Sequence, residues 1–168
     1  RALHDSGVSG LQVCVRQTDL VDSLVLELLQ AALAELYVDK LDKNITLVAH
    51  GGYGRRDVAP FSDVDLMLLH SQAFSQHAIP LARKLSQWIV DAGCQLGFSL
   101  RTPQQALKLA WTDATVYTSL VESRVIAGSV DLFSQLMRSL RQGAKRRSGY
   151  AWRPPAARPN SLPRSSSA

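Results

Sequence analysis

The sequence predicts an α/β (α+β) domain: a small mixed sheet carrying a site, helices packed around it and a helical extension behind. Three observations lead there. Two short apolar runs, Ile45–Ala49 and Asp63–His70, have strand length and are bounded by polar or glycine-rich segments. Two longer runs, Leu20–Val38 and Ala73–Ala92, carry apolar residues at helical spacing. From Gly143 onward Arg, Pro, Ser and Ala dominate, so little remains to bury.

Taken in order, the first helix is expected over Leu20–Val38, with Leu24, Leu28, Leu29, Ala32 and Leu36 on its apolar side and Asp22-Ser23 as capping residues. Asp39–Asn44 reads as a polar connector. Ile45–Ala49, fully apolar, reads as a central strand. Gly51–Ser62 is a turn with room for one helical turn before Ala59-Pro60, and Asp63–His70 is the second strand. The next helix, Ala73–Ala92, buries Leu81, Leu85, Trp88 and Ile89 and stops at Gly93. Gln95–Leu100 suggests a third strand. Thr102-Pro103-Gln104-Gln105 has the residues of a helix start, with Thr at the cap and Pro first in the helix. Helices are expected over 103–110, 113–126 and 131–141, the last two separated by Ala127-Gly128-Ser129. The organisation is therefore a lead-in (1–19), a domain with its helical extension (20–141) and a basic Pro/Ser/Arg-rich disordered tail (142–168).

At 168 residues the chain suits one domain with a real core. Arg1 rather than Met opens it, which leads us to expect a piece of a longer protein. The net charge of +5 belongs to the tail: residues 1–141 sum to −1 and residues 142–168 to +6. Charge therefore gives no reason to read the domain as a nucleic-acid binder. No run of 18 apolar residues exists, and no basic segment precedes an apolar one. Membrane partners are not expected, and a cytoplasmic location is. Cys14 and Cys94 lack metal-ligand spacing and read as reduced, small buried residues.

The chemistry is concentrated between residues 47 and 69. An apolar strand runs into Gly51-Gly52, and eleven positions after Gly52 comes Asp63-Val64-Asp65 in a second strand. Carboxylates at i and i+2 of a strand share a face. Glycines after a strand let backbone N–H groups approach phosphates without a Cβ in the way. Asp63 and Asp65 are then the candidate ligands of divalent cations, two Mg²⁺ ions, assisting phosphoryl transfer. Gly51 and Gly52 are the candidate nucleotide-binding backbone. Ser62 is placed to hydrogen-bond a phosphate, and Arg55, more than Arg56, to neutralise triphosphate charge. His50 and Tyr53 read as structural, and Trp88 and Trp111 as core. His4, His70 and His77 lack ligand spacing.

These residues resemble a known signature. Gly51-Gly52-Tyr53-Gly54-Arg55 followed by Pro60-Phe61-Ser62-Asp63-Val64-Asp65-Leu66 is similar to that of DNA polymerase beta-like nucleotidyltransferases, and nearest to the N-terminal domain of bacterial [protein-PII] uridylyltransferase/uridylyl-removing enzymes. Leu96–Thr102 and Asp113–Gly128 resemble two further motifs of that family, so the likeness covers about residues 20–137. It implies a polymerase beta-like fold and Mg²⁺-dependent transfer of UMP from UTP to a tyrosine hydroxyl of the PII signal protein. Gly51 and Gly52 would bind nucleotide, and Asp63 and Asp65 metal. The chain departs from the pattern at Arg56-Asp57, where Gly-Glu is usual, and at Phe98, where His is usual. Gln95–Arg101 offers no third carboxylate; Asp113 and Glu122 are substitutes, although helix capping or an ion pair with Arg124 explains them equally. Nothing resembles the family's phosphohydrolase or small-molecule-sensing regions, so uridylyl removal and glutamine sensing are not expected of this polypeptide. Two alternatives stand beside this reading: adenylyl transfer by a related domain, and a truncated, non-catalytic nucleotide-binding remnant.

Overall fold

The computed structural model describes residues 9–37, 41–59 and 62–148. Helix α1 (Gly10–Glu35) opens on a capping box: the Gln12 N–H donates to the Ser9 hydroxyl, and the Ser9 N–H to the Gln12 side chain. It starts well before the expected Leu20, so much of the lead-in is helix and Asp22 lies mid-helix instead of at a cap. Thr18, Val21, Val25, Leu29 and Ala32 form its buried stripe.

A short α2 (Leu41–Asn44) leads into β1 (Ile45–Ala49), buried at every residue, as the apolar run predicts. The single turn α3 (Gly51–Gly54) follows. β2 (Val64–His70) is buried except at Asp65. A short 3₁₀ turn precedes α4 (Ser75–Asp91), whose buried face is Ala78, Leu81, Ala82, Leu85 and Ile89. Trp88 packs against the same core, only partly buried. β3 (Leu96–Arg101) leads to α5 (Pro103–Ala110), where Thr102 and Gln105 form the expected capping box behind Pro103. Then come α6 (Ala114–Val121), β4 (Arg124–Gly128) and α7 (Val130–Ser148).

The sheet order is β3-β2-β1-β4. β1 runs antiparallel to β2 and to β4, and β2 parallel to β3, with α4 as the crossover. The mixed sheet is thus as expected, with β1 interior.

Two elements correct the sequence reading. Residues 124–126, expected to be helical, belong to β4, which pairs with β1 through an irregularity between Leu47 and Val48. Without β4, the outer edge of β1 would bury unpaired backbone groups, and Arg124-Val125-Ile126 supplies β-branched residues suited to fill it. The last helix runs to Ser148, past the expected stop at 141 and into the basic segment. Its residues past 141 include Gln142, Ala144, Lys145 and Arg146, good helix formers that extend an existing helix at little cost. Residues 149–168, the rest of the expected tail, lie outside the described residues, as do His4, Val38 at the end of the expected first helix, the connector positions 39–40 and Pro60-Phe61.

Each face of the sheet carries its own core. On one, Leu47, Ala49, Leu66 and Leu68 pack with Val25 and Leu29 of α1 and Leu81, Leu85 and Ile89 of α4. On the other, Val48, Met67 and Leu69 pack with Ala106 and Ala110 of α5, Leu120 of α6, and Leu136 and Leu140 of α7. Each fully buried side chain of this size contributes about 1.5–3 kcal/mol. A polar clip ties the ends together. Arg124 of β4 donates twice to Asp22 of α1, at 2.9 and 2.8 Å, and lies 5.0 Å from the centre of the Tyr53 ring. The Tyr53 hydroxyl donates to the same carboxylate at 2.6 Å. Burial, then that hydrogen bond, push the Tyr53 phenol well above its usual pKa. The residue is structural, as expected.

Candidate active site

The site is built where β1 ends, beside β2 and β3. The His50 N–H donates to the Asp65 carbonyl at 3.1 Å, which ties the start of the α3 turn to β2. Gly51 has φ +59, a conformation that side chains resist. A Cβ there would also lie 3.0 Å from Asp65 Oδ2. Across the parallel pair Asp65 faces Gly97, where a Cβ would collide with Asp65 Oδ1. Two glycines from different elements thus leave space for one carboxylate. Among the described residues no group hydrogen-bonds or ion-pairs with that carboxylate. Burial raises the Asp65 pKa above the ordinary range; the His50 charge opposes the shift and the Asp63 carboxylate adds to it.

Asp65 lines a cleft of about 360 Å³. Met67 and the β3 residues Gly97, Phe98, Ser99 and Arg101 extend it along the sheet, and Leu109 of α5 with Thr115, Val116 and Ser119 of α6 form the opposite wall. His50 lies at the glycine end of the cleft. Its Nδ1 is 2.7 Å from the Ser119 hydroxyl. Burial lowers the His50 pKa against the pull of Asp65, with the Arg101 charge adding to the lowering. The Arg101 side chain has no hydrogen bond or ion pair with the described residues.

The sequence-predicted residues divide between this cleft and its surroundings. Gly51 and Asp65 touch at its end. Asp63 sits just before β2, exposed, near enough for its charge to act on Asp65. Gly52 lies in the first turn of α3, whose leading N–H groups have no intrahelical partners. Arg55 is half exposed and ion-paired with Glu122 and Asp57. Ser62 lines a separate depression of about 330 Å³ between α1 and the segments flanking β2. Asp113 caps α6, so the capping explanation fits it. Glu122 pairs with Arg55 and not with Arg124, whose partner is Asp22. Cys14 and Cys94 are both free thiols and only partly buried.

The reading from sequence gave His50 a structural role and did not single out Arg101, Ser119 or Thr115, all of which line the cleft. A signal for them existed. Gly97, Ser99 and Arg101 alternate along β3 in register with Asp65, Met67 and Leu69, and Thr115 and Ser119 are four apart on one helix.

Sequence comparison finds relatives of one kind. The chain is 35% identical over 128 residues to a bifunctional uridylyltransferase/uridylyl-removing enzyme of Photobacterium profundum, covering 75% of this chain and 15% of that enzyme. The namesake of Streptomyces coelicolor is 44% identical over 92 residues, covering 55% and 11% of the two chains, and that of Burkholderia mallei 39% over 113 residues, covering 66% and 13%. The chain is therefore a relative of one segment of these enzymes and spans a small part of their length. No family model matches it. A solved toxin–antitoxin structure with AMP-PNP aligns over 71% of this chain and 90% of its own, with a TM-score of 0.43 and 14% identity. Among the described residues no helix is long and apolar enough to cross a membrane.

Proposed function

We propose that the domain transfers UMP from UTP to a hydroxyl on a protein, the tyrosine of a PII signal protein being the acceptor implied by the family resemblance. One observation carries this reading. The Asp65 carboxylate stands at the end of a cleft, between two glycines, with no described protein partner. A partly buried carboxylate without a partner is costly, and a cation bound there would offset its desolvation.

Mg²⁺ suits the residues present. It is commonly held by one or two carboxylates, with phosphate oxygens and waters completing its shell. Asp65 and Asp63 would be those carboxylates. When bound, the metal lowers the pKa of the attacking hydroxyl and offsets charge on the leaving pyrophosphate. The Gly51-Gly52 turn would bring backbone N–H groups to the phosphates, with the dipole of even one turn favouring negative charge there. The acceptor oxygen then attacks the α-phosphorus, and the bond to pyrophosphate breaks as the hydroxyl loses its proton.

The test is incubation with labelled UTP, Mg²⁺ and PII. Label should reach PII, and Asp65→Ala should reduce it by more than about 100-fold, since even changes one shell further from a metal cost 10–100-fold. Equal labelling by the wild type, Asp63→Ala and Asp65→Ala would remove the assignment. Labelled ATP in the same assay separates uridylyl from adenylyl transfer.

A second reading has its own support. No cluster of three His, Cys, Asp or Glu residues that could hold a metal occurs among the described residues. A domain that binds nucleotide and transfers nothing would fit that, and a folded protein that binds UTP without labelling PII would favour it.

A further inference from the structure

We propose that Arg101 selects the nucleotide's base, donating a hydrogen bond to the C4 carbonyl oxygen of a uracil ring held in the apolar-walled part of the cleft. The proposal rests on the nucleotide-transfer reading above and adds to it the source of base preference.

The cleft has two chemically different ends. Asp65 and His50 mark one, where the phosphates would lie. Arg101 is four residues beyond Gly97 on β3, and Gly97 is the register partner of Asp65. At the rise of a strand that places its Cα about 13 Å further along. Between the ends the apolar lining is Met67, Leu109 and Val116. A phosphate there would lose hydration without compensation, whereas a flat, largely apolar ring would not. The Arg101 side chain, which lines the cleft, is partly buried and has no hydrogen-bond or ion-pair partner among the described residues. It therefore has donors to offer whatever enters.

Those donors discriminate. Arginine has five N–H donors and no acceptor. The exocyclic group at C4 of uracil is a carbonyl oxygen, which accepts from it. The exocyclic group at C6 of adenine is an amino group, itself a donor, so a guanidinium placed at that group would meet a donor instead of an acceptor. A site built to hydrogen-bond a ligand rejects the analogue lacking the matching group more strongly than an apolar pocket rejects an extra methylene. An Arg101 that served a phosphate instead would give no discrimination, because UTP and ATP carry the same triphosphate.

The experiment is calorimetric titration of the full chain with Mg–UTP and Mg–ATP, for the wild type, Arg101→Met and Arg101→Gln, with thermal unfolding to verify folding. The wild type should bind UTP more tightly than ATP. Both variants should lose about tenfold or more in UTP affinity, the size of a hydrogen bond from a charged donor, with ATP affinity changed less than about twofold. Equal weakening of both nucleotides, or no change in either, overturns the proposal and leaves the transfer reading intact. Failure of the wild type to bind either nucleotide overturns both.

Discussion

The two faces of the sheet are built from alternate residues of the same strands, yet one is sealed and the other is open at one end. Leu47, Leu66 and Leu68 point to the face covered by α1 and α4 and are almost wholly excluded from solvent. Val48, Met67 and Leu69 point the other way and are equally buried, but Asp65, on the same face as Met67, is not. The covering helices account for the difference. α1 has 26 residues and α4 has 17, about 39 and 26 Å long. A sheet of four strands is about 15–20 Å wide, so either helix can cross it. On the other face α5 and α6 have 8 residues each, about 12 Å. α7 covers the β1 and β2 end of that face, and the remainder becomes the cleft. The sealed core and the candidate site thus lie on opposite sides of one set of strands.

Substitutions on the two faces should separate these roles. Leu68→Ala on the sealed face is expected to cost about 2–5 kcal/mol, because α1 and α4 cannot collapse into the void. Val116→Ala in the cleft wall should cost less than half of that, because its neighbour on one side is solvent, while weakening nucleotide binding. Urea denaturation of both variants measures the contrast, and equal losses would mean that the cleft wall is as tightly packed as the core.

Smaller in size is the loss of the Thr102 cap. Thr102→Ala removes the hydroxyl that accepts the Gln105 N–H at 3.2 Å and should cost about 1 kcal/mol. α5 forms part of the cleft wall, so nucleotide affinity should fall with it. A stability loss with unchanged binding would show that α5 is held by α7 and not by its own cap.

The smallest effect is a pH dependence with a defined sign. The Asp65 pKa is raised in the folded state, by burial first. Folding therefore favours the protonated carboxyl. Its contribution to stability is fully present below the unfolded value of about 3.9 and is lost as pH rises through the folded value. Asp65→Asn, which cannot ionise, should match the wild type at low pH and become more stable as pH rises towards neutrality. Melting temperatures across that range give the answer, and a wild type more stable than Asp65→Asn at neutral pH would show that the carboxylate already has a stabilising partner. The expected gain in stability with loss of transfer is the usual trade-off at a functional site.

Much of this molecule is legible in its sequence. The strands around Gly51-Gly52 and Asp63-Val64-Asp65, the helix α4 and the cap of α5 all follow from short-range pattern: apolar runs of strand length, 3.6-residue periodicity and a Thr-Pro-x-Gln start. Where the reading fails, the missing information is non-local. Leu120 to Ala127 contains enough apolar residues to continue a helix, and only the open edge of β1, some eighty positions earlier, makes Arg124–Gly128 a strand. Asp22 reads as a cap from its neighbours and becomes instead the partner of Arg124, 102 residues away. The early start of α1 is a different case, because the Ser9-x-x-Gln12 box is a local signal that was there to be read.

The site divides in the same way. Its acids and glycines were set by sequence alone, because a close backbone approach and a pair of carboxylates need particular residue types at fixed spacing. The cleft that gives them a use was decided by tertiary structure. Strand pairing put Gly97 opposite Asp65, the shortness of α5 and α6 left that corner uncovered, and the path of β3 carried Arg101 to its far end. Side-chain chemistry is a property of single residues, but enclosure depends on how long distant elements are and where they cross.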